Sequence, residues 1–87
     1  MVDLTFLTRV DCHLCAEALQ TVTEVAAGRD VTVTEIDIDT DDDLAAQYGW
    51  DVPVVLLNGR QHSFHRVDED RLSKALDALG AGDRLKE

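Results

Sequence analysis

Leu4-Thr5-Phe6-Leu7-Thr8-Arg9-Val10-Asp11-Cys12-His13-Leu14-Cys15 is the stretch on which the reading of this chain turns. It passes from an apolar, strand-like run through a turn into a helix-like run, and it holds both cysteines of the 87-residue sequence. A thiol at a helix N-terminus meets unpaired backbone N–H groups and the positive end of the helix dipole. Both favour the thiolate, which is the nucleophile in disulfide exchange. A second thiol three residues later lies one helical turn away, close enough to close a disulfide and release a trapped substrate.

Outward from this stretch the elements follow in order. Leu4 to Leu7, preceded by Val2, is a short strand apolar enough to be buried on both faces. A helix is expected from Cys12 to Ala27, with Leu14, Ala18, Val22, Val25 and Ala26 on its apolar stripe and Gly28 as its left-handed stop. Val31 to Ile38 is a second strand, rich in β-branched residues. Its apolar parity shifts between Val33 and Ile36, which suggests a bulge or a strand end. Thr40 or Asp41 can cap a short helix that presents Leu44 and Tyr48 and ends at Gly49. Beyond Asp51-Val52-Pro53, a third strand (Val54 to Leu57) and a fourth (Gln61 to His65) flank Asn58-Gly59, a strong hairpin signal. The last helix starts at an Asp68 cap, carries Leu72, Ala75, Leu76 and Leu79 on one face, and stops at Gly80.

The order is β-α-β-α-β-β-α, an α/β class. Its first crossover is parallel and right-handed and its later hairpin antiparallel, giving a mixed four-stranded sheet flanked by helices. The expected organisation is one domain over residues 1–80 and a frayed charged tail, 81–87.

Composition limits the partners. With 45% hydrophobic and 30% charged residues the chain reads as globular, not disordered. A formal net charge of −10 argues against nucleic acid or an anionic membrane. No apolar run approaches the roughly 20 residues of a membrane helix, and the opening Met1 to Thr5 carries an acid and runs into a strand, unlike a signal or transit peptide. A cytoplasmic monomer is expected. In that reducing compartment a lone Cys-x-x-Cys is redox-active or metal-binding more readily than structural.

Cys-x-x-Cys after the first strand, Val52-Pro53 before the third, and this element order together resemble the thioredoxin superfamily, most closely a small bacterial-type glutaredoxin-like protein. The resemblance covers roughly Leu4 to Leu79. It implies a thiol–disulfide oxidoreductase in which Cys12 attacks and Cys15 resolves. It also implies a cis Val52-Pro53 bond beside the cysteines, with Val52 lending backbone groups to an extended substrate. Only about 5–6% of X–Pro bonds in folded proteins are cis, so that geometry rests on the resemblance.

Two departures bear on specificity. Relatives carry Pro-Tyr or Gly-Pro between the cysteines, whereas this chain has His13-Leu14. A cationic His13 would favour the thiolate, the plainer alternative being a ring turned to solvent. Arg9 is a candidate partner for the thiolate or a substrate carboxylate, or else a surface cation. The Gly-Gly that precedes acids in glutathione-using members is replaced within His65-Arg66-Val67-Asp68-Glu69-Asp70. Without those glycines close backbone approach is harder. Glutathione is then a doubtful co-substrate, and a protein disulfide or another low-molecular-weight disulfide is the alternative, with a thiol reductant or reductase regenerating the pair.

Other readings compete. On the same fold the chain could be a non-catalytic protein-binding module. Cys12, Cys15, His62 and His65 offer Cys₂His₂ zinc chemistry, but histidines at i and i+3 on a strand point to opposite faces. A shared iron–sulfur site lacks two of the usual four thiolates, and inert packing cysteines are the plainest case. No cofactor or metal is expected. Asp37 to Asp43 resembles a calcium loop, but the template fails where it needs Gly (Asp42) and Glu (Tyr48). Tyr48 and Trp50 stand just before the Val52-Pro53 loop, as groove wall or as packing.

Overall fold

The computed structural model describes residues 2–80; the tail expected at 81–87 lies outside them. The elements are β1 (Val2–Thr8), α1 (His13–Ala26), β2 (Val31–Asp37), one 3-10 turn (Ile38–Thr40), α2 (Asp42–Tyr48), β3 (Val54–Leu57), β4 (Arg60–Phe64) and α3 (Glu69–Ala78). The sheet order is β2-β1-β3-β4, with β1 and β2 parallel and the other neighbours antiparallel. This is the mixed, helix-flanked four-stranded sheet that the order of elements predicts.

β1 is central and therefore buries side chains on both faces. Val2, Leu4 and Phe6 join Ala18, Val22 and Val25 of α1, Val55 and Leu57 of β3, and Leu72 and Leu76 of α3 in the main core. On the opposite face Leu7 meets Ile38 and Val54, with Leu44 and Tyr48 of α2 packed against them. Burying whole side chains of this kind is worth roughly 1.5–3 kcal/mol each, which is what holds two helices to one face of a short sheet.

Local chemistry sets the boundaries. Asn58 and Gly59, both with positive φ (52° and 83°), make the hairpin turn, and Asn58 also exchanges hydrogen bonds with the main chain of Asp3. The acid run is used for capping. Asp37 accepts from the N–H of Asp39, and Asp41 from those of Asp43 and Leu44, while Asp68 caps α3 through the N–H of Arg71. Gly49 keeps a right-handed backbone, and its small size matters instead: a Cβ there would lie 2.5 Å from the carbonyl oxygen of Ala45.

Several expectations are corrected. Leu14 leaves the buried stripe and is 47% exposed, because the stripe is Cys15, Ala18, Val22 and Val25. Leu79 is likewise half-exposed, having become the C-cap of α3. β2 runs in unbroken register from Val31 to Asp37, so its parity shift reflects an exposed edge strand and not a bulge. The irregularity lies instead between β3 and β4, where Ser63 opposes Val55 and Gln61 opposes Leu56, leaving His62 without a partner. β4 ends at Phe64, and His65 falls outside it.

Candidate active site at the start of the first helix

Asp11 adopts φ 61°, a left-handed turn that swings the chain from β1 into α1. Cys12 follows as the N-cap of α1, and the N–H of Cys15 donates to its Sγ at 3.1 Å. No acid stands in the first turn to offset the positive end of the dipole. Sulfur at that position is where a thiolate is best stabilised. Cys12 and Cys15 are joined as a disulfide with their Cα atoms 5.2 Å apart. Cys12 is half-buried whereas Cys15 is 2% exposed and part of the main core, so an incoming group meets Cys12 first.

The Val52–Pro53 bond is cis. Val52 packs half-buried against the same core cluster that holds Cys15 and against which Cys12 packs, so the loop and the cysteines share one floor. The rest of that loop is tied down. The Gly49 carbonyl accepts from Arg9 Nη1 (2.9 Å) and the Trp50 carbonyl from the ring Nε2–H of His65 (2.9 Å). The carbonyls of Asp51 and Pro53 both accept from the main-chain N–H of His65, at 3.2 and 2.9 Å. Of the carbonyls from Gly49 to Pro53, only that of Val52 accepts no hydrogen bond among the described residues.

The structure treats the other sequence candidates differently. His13 is exposed at the start of α1, beside the groove that also contains Cys12, Cys15, Arg9 and Glu35. Arg9 lines that groove too, but its guanidinium is engaged elsewhere, with Asp39 through Nε and Nη2 (3.3 and 2.9 Å) and with Gly49. It braces the loop and does not reach for the sulfur. Trp50 is 94% exposed, so it is not core, while Tyr48 packs into the smaller cluster. The zinc set is not assembled: His65 Nε2 is bonded to Trp50, and among the described residues no three His, Cys, Asp or Glu side chains converge on a common point.

His65, whose side chain sequence reasoning considered only as a metal ligand, is what the structure ties to the Val52-Pro53 loop. At φ 62° it occupies a conformation that usually needs glycine, and the N–H of Arg66 closes a tight γ-turn onto the Phe64 carbonyl. The left-handed turn is thus built without glycine, and it carries a side chain able to clamp the loop before β3. No local pattern in the sequence signals that contact.

These features coincide with a family match. A model of the glutaredoxin-like domain matches residues 3–77. The chain belongs to the glutaredoxin-like family. A protein of Mycobacterium tuberculosis is 37% identical to this glutaredoxin-like chain over 75 residues, 80% of this chain and 77% of that one. An X-ray structure from X. campestris has 37% identity and a TM-score of 0.72, covering 86% of this chain and 96% of the other. A mutant thioredoxin from Halobacterium salinarum has 29% identity and a TM-score of 0.68 over 88% of this chain and 73% of its own. The glutaredoxin-like fold here carries a disulfide-forming pair, and that pair supports thiol–disulfide redox chemistry. Among the described residues no helix is long and apolar enough to cross a membrane.

The clamp yields an expectation. His65→Asn keeps a residue that tolerates positive φ but is too short to hold Trp50. One hydrogen bond is worth about 1 kcal/mol. Hydrogen exchange at the Trp50 and Asp51 amides should therefore quicken roughly five- to tenfold. Unchanged exchange would show that the imidazole does not hold the loop.

Proposed function

We propose that this glutaredoxin-like protein is a thiol–disulfide oxidoreductase acting on extended protein disulfides. The observation that carries the reading is the half-exposed Cys12 at a helix start, backed by a buried Cys15 within bonding distance. In the reduced protein the Cys12 thiolate attacks one sulfur of a substrate disulfide, forming a Cys12–substrate disulfide and releasing the other sulfur as a thiolate. Cys15, on losing its proton, then attacks Cys12 Sγ. The second substrate sulfur leaves as a thiol, and the Cys12–Cys15 disulfide remains. Two electrons have passed from the pair to the substrate, and an external thiol or reductase returns them.

Protein substrates are favoured by what surrounds the cysteines. The open carbonyl of Val52 suits a peptide added as a strand. Val10, Leu14 and Trp50, at 72%, 47% and 94% exposure, present apolar surface next to the redox stretch and the loop. Glutathione is the less favoured partner because the paired glycines are absent. His13 is assigned to tuning the thiolate, Val52 and Pro53 to the substrate groove, and Arg9 to bracing that groove through Asp39 and Gly49. A reducing, cytoplasmic setting suits a pair that must be returned to thiols. A monomer is favoured because copies carrying −10 each repel one another.

The test compares reduction of a protein disulfide, a glutathionylated peptide and a small aliphatic disulfide by the reduced protein. The protein disulfide should react fastest, and Cys12→Ala should abolish all three. A stable partner complex that survives Cys12→Ala, with no turnover of any disulfide by the unaltered protein, would replace this reading with a binding module.

A further inference from the structure

We propose that the cavity between β4 and the first turns of α3 is a second ligand site, one that takes a small molecule through a phosphoryl group held by Arg66 and Arg71. This cavity has a volume of about 620 Å³ and is lined by Gln61, His62, Ser63, Phe64, Arg66, Val67, Asp68 and Arg71. It shares no residue with the groove around Cys12 and Cys15, and its size falls in the range of small-molecule pockets, roughly 300–1,000 Å³.

Charge makes the cavity unusual. The chain has 18 acids and 8 lysines and arginines. Among the described residues Arg9 and Arg29 pair with carboxylates, those of Asp39 and Asp77. Arg66 and Arg71 make no ion pair or side-chain hydrogen bond among the described residues, and these two line one cavity together. The one acid of the lining, Asp68, is occupied as the α3 cap and accepts from the Arg71 main chain at 3.0 Å. Asp68 keeps its charge as a cap, so what the two guanidiniums offer is an excess of positive charge and two donor forks, which the three oxygens of a phosphoryl group can engage together. A carboxylate, with two oxygens, suits one fork.

The β4 irregularity adds the third wall. It leaves His62 outside the β3 register, and Ser63 Oγ and His62 Nδ1 are buried without hydrogen-bond partners. Burial first, and Arg71 second, hold the His62 imidazole below its usual 6.5, so at neutral pH the ring is uncharged. The charged groups lining the cavity with it are Arg71 of α3 and Arg66 and Asp68 of the connecting loop. An anion bound there offsets Arg71 and makes His62 easier to protonate, so binding has a reporter inside the site.

The test is an NMR titration of the whole chain with inorganic phosphate at constant ionic strength, beside a parallel titration with acetate. Phosphate should shift the His62 ring and the Arg66 and Arg71 side chains saturably, with a Kd of about 1 mM or tighter. It should raise the His62 pKa. Acetate should bind at least about tenfold more weakly, and Arg71→Gln should weaken phosphate by about tenfold or more while disulfide turnover stays unchanged. Shifts that never saturate, a His62 pKa that does not move, or an unaltered Kd in Arg71→Gln would each overturn the site. Equal affinity for acetate would overturn its assignment to phosphoryl groups.

Discussion

Cys15→Ser should turn the protein into a trap that stays covalently bound to its substrates through Cys12. Ser is nearly isosteric with Cys, and position 15 is 2% exposed within the main core, so the fold has little room or reason to rearrange. Cys12 keeps its place as the N-cap and keeps the N–H of residue 15 pointed at its sulfur. Attack on a substrate disulfide is therefore preserved. What is lost is the internal thiol one helical turn away, whose effective concentration no dissolved thiol matches. Release then waits for an external thiol, and turnover of protein disulfides should fall on the order of 10³-fold, as it does when one member of a catalytic unit is removed. Non-reducing gels and mass spectrometry of the peptide holding residue 12 give the readout. Adducts found on Cys15 in a Cys12→Ser variant, and none on Cys12 in the Cys15→Ser protein, would reverse the two roles.

Phe6→Ala should come close to unfolding the domain. Phe6 is wholly buried on the central strand, opposite Glu35 of β2 and Val55 of β3, and it is the largest side chain in the interior. Truncations of this kind cost about 3–5 kcal/mol, the lost transfer energy plus a cavity the surroundings cannot fill. Total stability for a domain of this size is of order 5–15 kcal/mol. At 4–8 °C per kcal/mol, Tm should drop by roughly 12–40 °C. Trp50→Ala is the control of opposite kind. A larger ring is removed, but one already 94% exposed, so stability should stay within about 0.5 kcal/mol. Thermal unfolding followed by circular dichroism separates the two, and similar losses would contradict the burial pattern.

The two variants also separate what is legible along the chain from what is not. The order of elements, the Asn58-Gly59 hairpin, the Asp68 cap and the strand-to-helix site of Cys12 all depend on neighbours within a few residues, and each is read correctly. Errors arise where a side chain's environment is set from far away. Leu14 looks like core by helical spacing, yet Cys15 takes the buried position because of where the sheet lies. The parity break in β2 looks like a bulge, yet an edge strand has no need of strict alternation. Arg9 looks like a thiolate partner, yet Asp39 lies 30 residues on and claims its guanidinium.

The sequence by itself therefore determined the element order and the place of the disulfide-forming pair at the start of α1, because turns, caps and helix dipoles act over one or two turns of chain. Only the tertiary structure decided how the loop before β3 is held. His65 reaches Trp50 across 15 residues of sequence, and the carbonyl of Val52 is left open because every other carbonyl from Gly49 to Pro53 has found a donor. Such pairings are fixed by packing β4 against β3 and the loop against α1, and no local pattern encodes which donor will arrive.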